Sequence, residues 1–168
     1  TLEKERPQYV VILAGDHIYK MDYAKLVAFH EKNGADLSIA ALRVDVSAAR
    51  HFGVMQVDAE NQVIGFEEKP NEPRTLPDDP EHCLASMGIY VFNAAFLFDE
   101  LCRDATLPNS AHDFGRNIIP SIINNRRVFA FPFRDENRGE DAYWRDVGTI
   151  DDYGQANIEF RDVHSSGE

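Results

Sequence analysis

Polar side chains interrupt the apolar stretches of this chain at four places where a predicted strand ends. They are Asp16 in AGDHIYK, Glu68 and Lys69 in FEEKP, Ser86 in ASMGIYVF, and Asp146 in WRDVGT. Ligands of open α/β sheets bind at the carboxyl ends of strands, so these positions are candidates for chemistry. The recurring type is a carboxylate, or a carboxylate beside a cation, and this type suits a metal ion or a phosphate group.

Taken together, these residue types suit a sugar phosphate that meets a nucleoside triphosphate on a metal ion. Asp16 and Asp146 can hold one Mg²⁺, which binds a few carboxylates together with phosphate and water oxygens. Lys69 can neutralise a phosphate as a point charge. Glu68 can accept hydrogen bonds from sugar hydroxyls.

Taken singly, each position also has an ordinary structural explanation. A lone aspartate after a strand, such as Asp16 or Asp146, is more often a turn former or a helix cap. Glu68 and Lys69, taken alone, are more often the solvated edge of a hairpin, and Ser86 is compatible with an ordinary strand serine. The six histidines show no metal-ligand spacing and are expected mostly at the surface.

The elements that must position these residues begin with a strand, a helix and a second strand. The apolar run Val10–Ala14 predicts a strand buried on both faces. Met21–Asn33 is amphipathic, and Asp22 and Gly34 stand where caps belong, so it predicts a helix. Leu37–Val44 predicts the next strand. This order is a βαβ unit, so the sheet has a parallel part.

The rest of the chain continues as alternating strands and helices within one α/β domain spanning 1–168. Two local expectations are that Ser47 caps a helical turn, and that Pro120 either kinks a helix or marks the first turn of a second one. The predicted elements are a hairpin of Gly53–Asp58 with Val63–Glu68, an exposed loop Asn71–His82, a strand Ala85–Phe92, a helix Ala94–Cys102, a loop Leu107–His112, a helical stretch Asp113–Asn125, a strand Val128–Phe133, a charged loop Asp135–Asp141, a strand Ala142–Val147, a helix beginning at Thr149, and a frayed tail Val163–Glu168.

Composition narrows the class of protein. The chain has 168 residues, of which 43% are hydrophobic, and this argues for a folded domain. The net charge of -12 argues against a general binder of nucleic acid or of an anionic membrane surface. No apolar run is long enough to span a bilayer. The two cysteines, Cys83 and Cys102, lack zinc-ligand spacing and are expected to be free thiols in a cytoplasmic protein, with a disulfide as the alternative.

The motifs AGDHIYKMDY, HFGVM, FEEKP, ASMGIYVF, HDFGRNIIP and YWRDVGTIDDY occur in this order. In this they resemble the bacterial ADP-glucose pyrophosphorylase (glucose-1-phosphate adenylyltransferase) family, and the resemblance covers nearly all of Gln8–Phe160. It implies a Rossmann-like mixed, mostly parallel sheet flanked by helices. The implied reaction is ATP plus α-D-glucose 1-phosphate giving ADP-glucose and pyrophosphate, the first committed step of glycogen synthesis.

The resemblance also implies roles for individual residues. Asp16 and Asp146 match the family's Mg²⁺ ligands and, with Lys69, its catalytic positions. Glu68 and Lys69 match its glucose 1-phosphate ligands. The remaining matches to substrate-contacting positions are Gly53, Ser86, Asp113 and Trp144.

Two features of the family have no counterpart here: a Gly-rich triphosphate loop and a left-handed β-helix domain. We therefore expect the chain to be an internal part of a catalytic domain, inactive alone, whose parent is a cytoplasmic homotetramer. Two alternatives stay open. One is a nucleotidyltransferase for another nucleotide or sugar phosphate, and the other is a non-catalytic regulatory or assembly module that keeps the sugar pocket.

Overall fold

A computed structural model describes residues 5–15, 17–135, 140–141, 144–146 and 154, with the backbone alone at 135, 140–141 and 144–146. The elements in chain order are β1 (Tyr9–Ile12), β2 (His17–Tyr19), α1 (Tyr23–Asn33), β3 (Leu37–Asp45), α2 (Val46–Ala49), β4 (Gly53–Val57), β5 (Val63–Glu68), β6 (His82–Asn93), α3 (Ala94–Ala105), a π-helical turn (Phe114–Ile118), α4 (Ile119–Ile122), β7 (Val128–Pro132), β8 (Arg134–Asp135), β9 (Glu140–Asp141) and β10 (Trp144–Asp146).

Helix α1 forms where its cap residues predict it. The carboxylate of Asp22 accepts a hydrogen bond from the backbone N–H of Ala24 at 3.0 Å. Gly34 ends the helix with a φ of 54°, in the left-handed region that glycine adopts without a steric penalty. Leu26 and His30 are the buried residues of its inner face. His30 therefore departs from the expectation that histidines lie mostly at the surface, and it is bonded to Ser38 at 2.9 Å.

The main sheet is mixed and flanked by helices, as predicted. Its strand order is β5-β4-β6-β3-β7, and β1 also pairs with β6. β1, β3 and β4 all run antiparallel to β6, while β3 and β7 are parallel. The expectation of a mostly parallel sheet is therefore correct for strand direction, which β1, β3, β4 and β7 share. The expectation is wrong for hydrogen-bonded neighbours among the described residues, because β6, which runs in the opposite direction, lies between β3 and both β1 and β4.

Strand β1 is less buried than its apolar sequence predicts. Val11 is 39% exposed and Leu13, just beyond the strand, is 48% exposed. Val10 and Ile12 do pack against the core. In the part of the chain that the structure describes, β1 pairs with β6 alone. The prediction of burial on both faces is therefore wrong, since one face of β1 is partly open.

The core lies on both faces of the sheet, with the alternating residues of β6 divided between them. Tyr90 and Phe92 pack with α3, the π-helical turn and α4, whereas Met87 and Val91 pack with Leu26 of α1. This arrangement makes three layers of helix, sheet and helix, which is the usual way of covering both faces of an α/β sheet. The one-domain expectation itself stays a prediction.

The structure decides the two local expectations, which concern Pro120 and Ser47. Pro120 lies in the first turn of α4, so the second of the two alternatives for this residue is confirmed. Ser47 lies inside α2, where Asp45 occupies the N-cap position without a side-chain capping bond. The prediction that Ser47 caps this turn is therefore wrong.

The last described elements are short strands. β10 pairs antiparallel with β2, and β8 pairs with β9 at the two ends of the predicted charged loop. The predicted helix from Thr149, apart from Gly154, and the predicted tail Val163–Glu168 lie outside the described residues. Within the described ranges, no helix has the length and apolarity needed to cross a membrane. Both cysteines are free, with Cys83 buried and Cys102 exposed, and burial raises the pKa of the Cys83 thiol.

Candidate functional site

The site begins at the end of the β4–β5 hairpin. Gly53, the first residue of β4, is the register partner of Glu68, the last residue of β5. Lys69 then turns the chain with a φ of 49°, which is uncommon for a residue with a side chain. Its backbone N–H donates to the carbonyl of Phe52 at 3.0 Å and fixes this turn. The hairpin thus holds Gly53, Glu68 and Lys69 together, as a substrate site would require.

The π-helical turn brings a second carboxylate to the same place. Asp113 caps the turn, and its Oδ1 accepts from the backbone N–H of Arg116 at 2.8 Å. A methyl group built on Gly115 would overlap Oε2 of Glu68 and would lie 2.9 Å from Glu68 Cδ. Gly115 therefore lies directly against the Glu68 carboxyl group. Turns of the π type occur frequently at functional sites.

Strand β6, which carries the predicted site residue Ser86, is irregular. The β3–β6 register pairs Ile39 with Tyr90 but Ala41 with Ser86, so β6 carries extra residues between them. Gly88, with a φ of 67°, lies in this bulge. Its N–H donates to the hydroxyl of Ser86 at 3.2 Å. Bulges bend a strand and re-aim its side chains. Ser86 and Tyr90 flank this bulge, and their side chains hydrogen-bond with each other.

Electrostatics link these residues into one site. Burial raises the pKa of Glu68, the neighbouring charge of Asp113 raises it further, and the charges of Lys69 and Arg116 oppose the rise. Burial also raises the pKa of Tyr90, a hydrogen bond with Ser86 opposes that rise, and Glu68 and Asp113 add to it. Two acids, two cations and two hydroxyl groups are therefore linked through their effects on Glu68 and Tyr90. Such a mixture can bind a ligand that carries both hydroxyl groups and an anion.

The predicted metal half of the site is described only in part. Asp16 and the side chains of Asp146 and Trp144 lie outside the described residues. The backbone register of β2 and β10 pairs Asp146 with His17 and Trp144 with Tyr19. Asp146 thus lies opposite the residue that follows Asp16 in the sequence.

Three residues of the site were not predicted from the sequence: Tyr90, Gly115 and Arg116. Tyr90 is indistinguishable from the core aromatic residues of an apolar strand. Gly115 did carry a signal, because a glycine inside a helical stretch lowers helix stability and often has a packing or functional reason. Arg116 follows it in the same motif, but its approach to Glu68 depends on packing between distant segments.

Comparisons with known proteins identify the family of this chain. The nucleotidyl transferase family model matches residues 1–162, and the chain belongs to that family. It is 61% identical over 158 residues to the glucose-1-phosphate adenylyltransferase of Rhodopirellula baltica, covering 94% of this chain and 35% of the relative. It is 55% identical over 159 residues to the enzyme of that name from Shewanella frigidimarina, covering 94% of this chain and 38% of the relative. The chain thus spans little more than a third of the length of these curated relatives.

A solved structure supports the fold. The crystal structure of HddC from Yersinia pseudotuberculosis matches with a TM-score of 0.64 and 21% sequence identity, over 92% of this chain and 56% of that one. At this identity the likeness concerns the fold alone.

Proposed function

We propose that this chain carries the sugar-phosphate half of a glucose-1-phosphate adenylyltransferase, which joins ATP and α-D-glucose 1-phosphate into ADP-glucose and pyrophosphate. The observation that carries the proposal is the convergence of Gly53, Glu68, Ser86 and Asp113 around the end of the β4–β5 hairpin, with Lys69 adjoining. The names of the relatives, at 51–61% identity, support the choice of substrates.

In the proposed reaction, an ionised phosphate oxygen of glucose 1-phosphate attacks the α-phosphorus of ATP. The bond from that phosphorus to the bridging oxygen breaks, and pyrophosphate leaves from the opposite side. The attacking phosphate carries no proton that must be removed, so the chain needs no general base. Its contribution is positioning and neutralisation of charge.

The roles of the individual residues follow from their chemistry. Lys69 faces a substrate phosphate as a mobile point charge. Glu68 accepts hydrogen bonds from sugar hydroxyls when it is ionised, and Ser86 can donate or accept one. Asp113 caps the π-helical turn through Oδ1, and the other oxygen of its carboxylate is able to accept a hydrogen bond from a sugar hydroxyl. Trp144 completes the sugar pocket in this proposal.

Mg²⁺ belongs to the proposal as the cofactor. Carboxylates match the ligands that Mg²⁺ prefers, so Asp16 and Asp146 are the proposed pair, and the β2–β10 register places Asp146 opposite His17, the residue after Asp16. When bound, the ion would neutralise charge on the phosphates. We further infer a cytoplasmic, homotetrameric parent enzyme acting in glycogen synthesis.

The test is the binding of glucose 1-phosphate to this chain, measured by NMR chemical-shift titration. We expect Lys69→Ala to weaken binding about tenfold, because a charge-assisted contact to the phosphate is lost. Lys32→Ala removes an exposed lysine from the last turn of α1 and serves as the matched control. Equal affinity of the two variants would refute the role of Lys69, and glucose 1-phosphate binding no better than inorganic phosphate would refute the sugar site.

A further inference from the structure

The carboxyl group of Glu68 lies between two glycines that belong to different elements. A methyl group on Gly53 of β4 would lie 3.0 Å from Glu68 Oε2, and one on Gly115 of the π-helical turn would overlap the same oxygen. We call Gly53 and Gly115 the glycine slot. The Glu68 carboxylate can approach the backbone of both residues this closely because neither glycine has a side chain. The slot therefore restricts where the carboxylate can lie.

Backbone geometry does not account for Gly115. Among the described residues, the glycines with positive φ are Gly34 and Gly88. Gly115 lies in a helical turn, where alanine would ordinarily be the more stable residue. It is also buried, so its missing side chain leaves room for a neighbour instead of exposing backbone to water. That neighbour is the carboxyl group of Glu68.

We propose that Gly115 is a positioning residue that holds the Glu68 carboxylate where it meets the sugar hydroxyls. The inference rests on the proposed function and deepens it. A side chain at position 115 would displace a flexible carboxylate and leave the rigid core in place, because Glu68 Oε2 and Cδ are the atoms in its way. Removing the glycine should therefore alter substrate binding more than folding.

Gly53 cannot serve as the same probe. A methyl group there would also overlap the ring of Phe66, which is 7% exposed and belongs to the core. Gly53→Ala would thus disturb packing together with the slot. Gly65 in β5 is the better control, since the three atoms nearest to a methyl group there, at 3.1–3.2 Å, all belong to the flexible side chain of Gln56, which can move aside.

The experiment compares Gly115→Ala and Gly65→Ala by calorimetric titration with glucose 1-phosphate and by thermal unfolding. We expect about tenfold weaker binding for Gly115→Ala and unchanged binding for Gly65→Ala. In a Glu68→Ala background, Gly115→Ala should have no further effect on affinity, because the two changes act on one contact. In that background it should also raise the Tm, since alanine then brings its helix preference without an overlap.

Unchanged affinity of Gly115→Ala, or losses that add independently of Glu68, would overturn the inference. If the unmodified chain does not bind glucose 1-phosphate, the proposed function fails, and the slot is judged by NMR titration of the Glu68 carboxyl group. Displacement towards water should bring its pKa back towards the ordinary value in Gly115→Ala. A pKa that stays where it is in the unmodified chain would then overturn the inference.

Discussion

Glu68 is a half-buried carboxylate at the end of β5 and Asp104 is a buried carboxylate on α3, and their surroundings differ. Asp104, which is 4% exposed, accepts hydrogen bonds from the hydroxyl of Ser110 at 2.6 Å and from Nδ1 of His112 at 2.7 Å. Those bonds lower the pKa of Asp104. Burial and the adjacent charge of Asp113 raise that of Glu68. A carboxylate with its donors supplied by the chain holds structure, whereas one beside a like charge is suited to receive donors from a ligand.

The two carboxylates are also connected along the chain. Asp104 accepts hydrogen bonds from Ser110 and His112, and Asp113 is the residue that follows His112. His112 itself has a φ of 56°, so the backbone turns sharply just before Asp113 enters the site. The structural carboxylate therefore anchors the loop that delivers a site carboxylate, and variants should separate the two kinds of role.

The largest expected effect on stability comes from Asp104→Ala. The change leaves Ser110 and His112 without their shared acceptor, so we expect the Tm to fall by several degrees when followed by circular dichroism. Since hydrogen bonding lowers the pKa of Asp104 in the folded state, its contribution is present above the ordinary aspartate pKa and is lost as the pH falls through the lowered value. Asp99→Ala, at an exposed acid of the same helix, is the control. An equal Tm for both variants would contradict the anchoring role.

An intermediate effect is expected from the pH dependence of glucose 1-phosphate binding. Burial raises the pKa of Glu68, so it takes up a proton at a higher pH than an ordinary glutamate, and the neutral acid, like a glutamine amide, accepts hydrogen bonds from hydroxyls less strongly than the carboxylate does. The phosphate group also titrates in this region, so the informative quantity is the ratio of the dissociation constants of Glu68→Gln and the unmodified chain. Measured by NMR from about pH 8 to about pH 4, that ratio should fall towards one.

The stability of Glu68→Gln should show the opposite sign to that of the Asp104 variant. A raised pKa means that Glu68 stabilises the fold below its unfolded pKa and loses that contribution as the pH rises through the folded value. Glu68→Gln should therefore be as stable as the unmodified chain, or more stable, near neutral pH. A large loss of stability at neutral pH would show that Glu68 is structural, like Asp104.

The smallest effect is expected at the neighbouring glutamate. Glu67 is exposed and lies 3.8 Å from Arg74 in a pair of exposed side chains. Such pairs contribute little, so Glu67→Gln should change the free energy of unfolding by less than about 0.5 kcal/mol and leave glucose 1-phosphate binding unchanged. Urea unfolding and the same NMR titration measure both quantities. A loss of affinity matching that of Glu68→Gln would remove the distinction between the two glutamates.

Local signals in the sequence predicted most of the elements. Helix α1 is marked by Asp22 and Gly34, and the β4–β5 hairpin by two alternating runs around a turn. The pairing of β1 with β6 and of β2 with β10 could not be predicted in the same way, because contacts between distant segments leave no local pattern. The exposed Val11 shows the same limit, since an apolar strand does not reveal how many neighbours will cover it.

The candidate site shows a similar division. Glu68, Lys69, Ser86 and Asp113 were predicted from motifs, and the resemblance supplied their common purpose. The contribution of Tyr90 depends on the bulge in β6, and that of Gly115 depends on the approach of the π-helical turn to β5. Both contributions depend on which residues the fold places next to the glycine or the tyrosine, and the local sequence does not show this.

The two thiols lie in different environments, and this difference decides which of them a labelling reagent can reach. A thiol must reach solvent and lose its proton before it attacks a maleimide or a disulfide reagent. Cys102 on α3 is exposed, whereas Cys83 is fully buried with a raised pKa. A fluorophore or spin label should therefore attach at a single position of the unaltered chain, on the helix that also carries Asp104.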